Sequence, residues 1–337
     1  MKINIIKERR FSLYDHKERF PHQDFPVWGR LIKGTDISPY CDLYGGLTIN
    51  MAINLRSHFT LFTGDDIYDP KANNSVPYLG KKEFVYAFME EFGINDMHLS
   101  KFNSSFDGIL EAGLGSSASS AVAIIGAINK LKNLGMSLDE IAEKAWEIEV
   151  NKLGLFGGKQ DQNASVFGGV NIMEFKKGGG VNVTPLAKGF IEPLLPSLVL
   201  FYTGTNRKSA KIQEGFKTLN EDQIWALDNI KRLAVKAIDP IAKGDYIQVG
   251  ALLDEAWEYK KLSNKGVTNK RIDDIYGSAL VNGAYGGKCL GAGSGGYMLF
   301  IVDPKEKEKF IKNMMLMDCE WWDFSPCFQG LETRILP

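Results

Sequence analysis

Three stretches of the chain carry side chains whose types and spacing could do chemistry. The first is Glu111–Ser120, EAGLGSSASS, which runs at once into AVAIIGAINKL. Gly113 and Gly115 allow backbone angles that a side chain forbids. From Ala118 onward, Val122, Ile125, Ile128 and Leu131 recur at helical spacing. A glycine loop feeding a helix delivers unpaired N–H groups and the positive end of a helix dipole to one point, which suits a phosphate. The hydroxyls of Ser116, Ser117 and Ser119 could bond phosphate oxygens or a magnesium ion. The plainer alternative is a Ser/Gly linker or a helix cap.

The second stretch is the helix opened by the capping box Ser137-Leu-Asp-Glu140 and expected to run to about Asn151. Its apolar stripe passes through Leu138, Ala142 and Ala145, and the next place on it is Glu149. A carboxylate on an inward face requires a cation, a metal or a hydrogen-bond donor. An exposed last-turn glutamate is the alternative. The third stretch, Leu153–Gly169, holds five glycines with Lys159 and Asp161 between them. It reads as a turn-rich segment carrying opposite charges.

The elements that must position these residues follow from periodicity. Strands are expected at Lys2–Ile6, Leu47–Leu55, Phe59–Phe62, near His98–Phe102, at Asn171–Phe175 and at Leu198–Thr203. Helices are expected at Lys81–Phe92, Ile224–Ile238, Tyr246–Leu262 and Asn269–Asn282, with a loop over Asp65–Val76. Pro193 and Pro196 mark a boundary between a unit over 1–190 and a second over 191–337. Gly291, Gly293 and Gly296 formally spell G-x-G-x-x-G, but the apolar run YMLFIV that follows is a strand. A dinucleotide fold would require a helix there.

The 337 residues suffice for one large or two ordinary domains. A net charge of −1 argues against nucleic acid, so anionic ligands must be met by local clusters. Cys41, Cys289, Cys319 and Cys327 show no zinc spacing and read as reduced thiols of a cytoplasmic protein. The start MKINIIKERR resembles no signal peptide, and no run is long and apolar enough for a membrane span.

Gly113–Ala118, Gly-Leu-Gly-Ser-Ser-Ala, resembles the phosphate loop of the GHMP small-molecule kinases residue for residue. A P-loop would need a Lys where Gly115 stands. Ile109 and Glu111 occupy the places of the family's upstream Pro and Gly, and a carboxylate there repels a triphosphate unless it points away or helps hold the metal. Gly34-Thr35-Asp36 resembles the family's N-terminal sugar motif, Gly157–Gln162 the segment with the catalytic aspartate, and Leu290–Gly296 the glycine-rich third motif. The runs GGKQDQ, NGAYGGKCLGAGSGG and FQGLETRIL, with Asp254–Tyr276, are most similar to the heptose kinases of the group.

The resemblance implies an α+β, two-domain GHMP kinase fold, with an N-terminal ribosomal S5 domain 2-like unit and a C-terminal ferredoxin-like unit. It implies transfer of the γ-phosphoryl group of ATP to the anomeric hydroxyl of a heptose 7-phosphate or related sugar. A kinase of an unphosphorylated sugar of the fucose or galactose type, or a catalytically weak binding homologue, is the alternative. By this resemblance Gly113, Leu114, Gly115, Ser116, Ser117, Ala118 and Ser119 hold ATP, Ser117 and Glu149 hold Mg²⁺, and Asp161 and Lys159 serve the transfer. Gly34, Thr35, Asp36, Arg30, Gly293, Lys260, Lys261 and Arg271 contact the sugar. A monomer or homodimer is expected, with no nucleic-acid or membrane partner.

Overall fold

The computed structural model describes residues 10–12, 27–32, 38–62, 82–94, 102–205, 212 and 214–336. The expected strand Lys2–Ile6 and loop Asp65–Val76 lie outside them. In chain order the described elements are β1 (Arg10–Ser12), β2 (Val27–Ile32), α1 (Ser38–Tyr44), β3 (Gly46–Ile53), β4 (Ser57–Phe62), α2 (Lys82–Glu91), β5 (Phe102–Phe106), α3 (Ser116–Lys132), α4 (Leu138–Glu147), α5 (Gln160–Phe167), β6 (Val170–Phe175) and β7 (Val181–Leu186). There follow β8 (Leu198–Tyr202), α6 (Glu221–Lys236), α7 (Ile238–Lys243), α8 (Tyr246–Ser263), α9 (Lys270–Val281), β9 (Ala284–Cys289), β10 (Tyr297–Val302), α10 (Lys307–Met315), β11 (Glu320–Trp322) and β12 (Arg334–Leu336).

The strands form three antiparallel sheets, in the orders β12-β1-β4-β5, β2-β3-β6-β7 and β11-β8-β10-β9. The third takes its strands in the β-α-β-β-α-β sequence of a ferredoxin-like unit. Helix α3 lies at the centre of the N-terminal half. Its residues from Ala118 to Ile128 are all buried, so the expected one-sided stripe is in fact an all-round core helix. Each buried isoleucine on it, such as Ile125, stabilises the fold by about 1.5–3 kcal/mol. One apolar cluster joins Ile49, Met51, Ala112 and Leu114 to Leu200 and Tyr297, so both halves share a core.

The structure corrects several local expectations. Residues 160–167 of the expected turn-rich segment are helix α5. The strand entering the glycine loop is Phe102–Phe106, beginning where His98–Phe102 was expected to end. Leu138 is exposed, although it falls on the stripe of Ala142 and Ala145, because the helix's first turn projects beyond the core. Strand β7 is an additional edge strand, with Pro185 tolerated there because an edge N–H has no ladder bond to lose.

The unit expected over 191–337 does not keep its last residues. β12 pairs with β1 in the N-terminal sheet, and the N–H of Leu331 donates to the Val166 carbonyl at 2.8 Å. Gly330 permits this approach, since a Cβ there would stand 2.0 Å from the Val166 oxygen.

Candidate active site

Gly113 and Gly115 take the left-handed angles their types suggest, with φ of 93° and 72°. Gly115 is the N-cap of α3, and no side chain caps the helix. The first intrahelical bond runs from Ser119 N–H to Gly115 O, 3.0 Å. The N–H groups of Ser116, Ser117 and Ala118 precede it and have no partner within the helix. Leu114 and Ala118 are buried, so their side chains belong to the core rather than to a ligand. Ser119 is also buried, its hydroxyl bonded to Ser57 Oγ at 2.5 Å and to Ser116 O at 3.1 Å. The hydroxyl expected to meet phosphate at this position instead ties α3 to β4.

Ser117 is different, for its hydroxyl donates to Glu149 Oε1. Glu149 lies in a π-helical turn, Ile148–Lys152, that continues α4. Such wide turns often mark functional sites, because the extra residue re-aims a side chain that a regular helix would place elsewhere. Gln162 Nε2 donates to Glu149 Oε2 at 2.7 Å. Both donors are neutral, so a buried carboxylate here has hydrogen bonds without a counter-cation. Burial pushes its pKa up to about 7, against the opposing effect of the two donors, and the nearby charge of Asp161 pushes the same way.

A divalent cation suits this pair of hard oxygen donors. Among the described residues no group of three or more His, Cys, Asp or Glu side chains could hold a metal alone. Mg²⁺ does not need such a cage, since it commonly takes one or two carboxylates and completes its shell with substrate phosphates and water.

Asp161 stands in the first turn of α5, where a helix N-terminus favours an anion. Lys159, expected as its counter-charge, instead closes on Glu143 Oε1 at 2.5 Å and lies 4.2 Å from the Trp146 ring centre. Trp146 Nε1 in turn holds the Gly157 carbonyl at 3.0 Å, fixing the loop that leads into α5.

The third motif packs directly on the glycine loop that opens α3. Tyr297 N–H donates to Ala112 O at 2.9 Å, and the Tyr297 hydroxyl accepts from Ile109 N–H at 3.3 Å. Gly293 is pressed against Val267, whose oxygen would lie 2.3 Å from an added Cβ. Lys260 is buried and donates to the carbonyls of Cys289 and Gly291 at 3.1 and 3.0 Å, so it braces this motif from behind. Arg271 donates to the Met317 carbonyl at 2.5 Å, and Lys261 pairs with Glu258 at 2.6 Å. These three cations therefore hold protein groups where sugar contacts were expected. Gly34, Thr35, Asp36 and the side chain of Arg30 lie outside the described part of the structure. Gln162 and Tyr297 were missed as positioning residues, and only the identity of Gln162's neighbour Asp161 pointed to the segment.

A glycine loop that opens the central helix, set beside a ferredoxin-like unit, is the arrangement of the two-domain fold found in a class of small-molecule kinases. Residues 81–169 match the model of the GHMP kinases N terminal domain and residues 234–316 that of the GHMP kinases C terminal region. The chain belongs to the GHMP kinases. It is 35% identical over 327 residues to the D-glycero-alpha-D-manno-heptose 7-phosphate kinase of Campylobacter jejuni, covering 89% of this chain and 94% of that protein. It is 32% identical over 206 residues to the mevalonate kinase of Pyrococcus furiosus, covering 58% of each chain. A crystal structure of a D-glycero-D-manno-heptose 1-phosphate kinase from Bacteroides thetaiotaomicron superposes with a TM-score of 0.73 at 26% identity, covering 98% and 99% of the two chains. No helix among the described residues is long and apolar enough to cross a membrane.

Proposed function

We propose that this protein transfers the γ-phosphoryl group of ATP to the anomeric hydroxyl of a heptose 7-phosphate. The observation that carries the reading is Glu149, a buried carboxylate bonded to Ser117 beside the uncapped start of α3. The heptose assignment rests on the Campylobacter and Bacteroides relatives, whose names place the phosphate differently but agree on a phosphorylated heptose.

In this reading the N–H groups of Ser116, Ser117 and Ala118 bind the phosphate chain and orient its terminal group. Glu149 and Ser117 hold Mg²⁺, which when bound neutralises charge on the phosphate oxygens. Asp161 accepts the proton of the sugar hydroxyl as its oxygen bonds to the γ-phosphorus and the bond to the bridging oxygen of ADP breaks. A phosphoryl transfer of this kind depends on positioning and charge neutralisation more than on a strong base. The bonds from Trp146 and from Gln162 supply that positioning.

A second reading, a kinase of an unphosphorylated sugar, is favoured by one feature. Lys260, Lys261 and Arg271, the cations expected to meet a sugar phosphate, are engaged by protein groups. Steady-state ATP turnover against heptose 7-phosphate, heptose 1-phosphate, fucose, galactose and mannose separates the two. Turnover confined to the free sugars overturns the first reading.

A further inference from the structure

Gln160 is the first residue of α5 and immediately precedes Asp161. Its side chain is fully buried, at 0% exposure, yet neither Nε2 nor Oε1 has a hydrogen-bond partner among the described residues. Leaving one buried polar group unpaired costs about 1–3 kcal/mol, and buried amides in native proteins are nearly always paired. Here a whole primary amide is unpaired among the described residues.

The position is not that of a disordered surface turn. Ala164, one helical turn further along the same face, packs among Tyr40, Cys41, Ala52 and Met173. The Gln160 face of α5 is thus the one turned to α1 and the β3–β6 sheet, while Gln162 turns towards Glu149. The amide beyond Asp161 is also incompletely matched, since Gln162 Oε1 is buried with no partner among the described residues. Two glutamines therefore flank the candidate base, and three of their four amide heavy atoms await a partner. An apolar side chain of the same size would satisfy packing better than Gln160 does, so packing does not account for the amide.

Resting on the kinase reading above, we infer that the Gln160 amide recognises the acceptor sugar, Nε2 donating to one hydroxyl and Oε1 accepting from another. A primary amide offers a donor and an acceptor side by side, which neighbouring hydroxyls on a polyol can satisfy together, whereas an ionised phosphate could meet Nε2 but has no donor for Oε1. Gln160 is then a specificity-determining residue that orients the sugar while Asp161 meets the reacting oxygen.

The test is Gln160→Met, which keeps the volume and removes both polar atoms. Melting temperature without sugar should stay level or rise, because an unpaired buried amide has been removed. The KM for heptose 7-phosphate should rise ~10- to 100-fold, while the affinity for ATP, measured by calorimetry, stays within about twofold. Gln160→Leu is the second variant if the methionine form folds poorly. A clear fall in melting temperature of both variants overturns the inference, for it means the amide is already paired within the protein. An unchanged KM in a folded variant also overturns it and leaves a structural water as the partner. Failure of the wild-type enzyme to turn over any sugar of the panel instead removes the kinase reading, whichever way the melting comparison falls.

Discussion

Tyr297 N–H and Ala112 O are joined by a 2.9 Å hydrogen bond that fastens the third glycine motif to the glycine loop before α3. Gly296 makes the contact possible, at φ 83°, where a Cβ would come within 2.0 Å of the Ala112 oxygen. Backbone cannot yield as a flexible side chain can. Gly296→Ala should therefore displace the loop, lowering stability by about 1–3 kcal/mol and weakening ATP at least tenfold. A folded variant with wild-type ATP affinity in calorimetry would uncouple the two motifs.

Glu149 gives a pH signature. Its carboxyl rises from 4.5 to about 7 on folding, so the folded state holds the proton more tightly than the unfolded chain. The resulting stability is complete below pH 4.5 and is lost as pH rises through 7, a change of roughly 3 kcal/mol in metal-free protein. The difference in unfolding free energy between wild type and Glu149→Gln, followed by urea melts from pH 4 to 8, should trace that decline. Mg²⁺ should narrow the gap at pH 8 for the wild type only. A flat difference would show a carboxylate with an ordinary pKa.

Asp161 sits in the first turn of α5, so its loss as a mere helix-end anion costs about 0.3–1 kcal/mol. As the base it matters far more to rate: Asp161→Asn should lower kcat ~10²–10⁴-fold with ATP binding and melting temperature nearly unchanged. If the variant melts early and its folded fraction turns over normally, the residue is structural.

Glu111 adopts φ 58°, a left-handed angle, at the place where related loops have glycine. Such an angle strains a residue with a Cβ by about 1–2 kcal/mol, partly offset by the larger unfolded-state freedom of glycine. Glu111→Gly should raise the melting temperature slightly and strengthen ATP binding by removing a carboxylate from the loop. Weaker binding would place Glu111 among the metal-holding groups instead.

What could be read from the sequence was local. The capping box at Ser137 and Glu140 forms as spelled, and Gly113 and Gly115 take the turn their lack of a side chain permits. The ferredoxin-like unit was expected from the family resemblance, whereas periodicity alone marked only β8, β10 and the helices α6, α8 and α9 within it. Lys260 was not legible, since its burial comes from packing against the bend between β9 and β10, which no spacing encodes. The π-turn at Ile148–Lys152 also left no mark, because IEVNK is ordinary helix composition. Strand β7 did leave one: GGG between VNIMEF and VNVTPL is a hairpin signal that was passed over.

The pairing of β12 with β1 has a consequence for the order of synthesis. Strand β1 is made long before Arg334–Leu336, its partner on one side. Until then β1 presents open pairing groups, a hazard for association between nascent chains. The same late segment braces α5 through Leu331 and Gly330, and α5 carries Asp161. A ribosome halted shortly before Arg334 would release a polypeptide holding every glycine loop and both acidic residues, but with its N-terminal sheet unclosed. Closure of the N-terminal sheet therefore waits for synthesis to reach Arg334–Leu336, and a chaperone guarding the early strand would have to hold it until then.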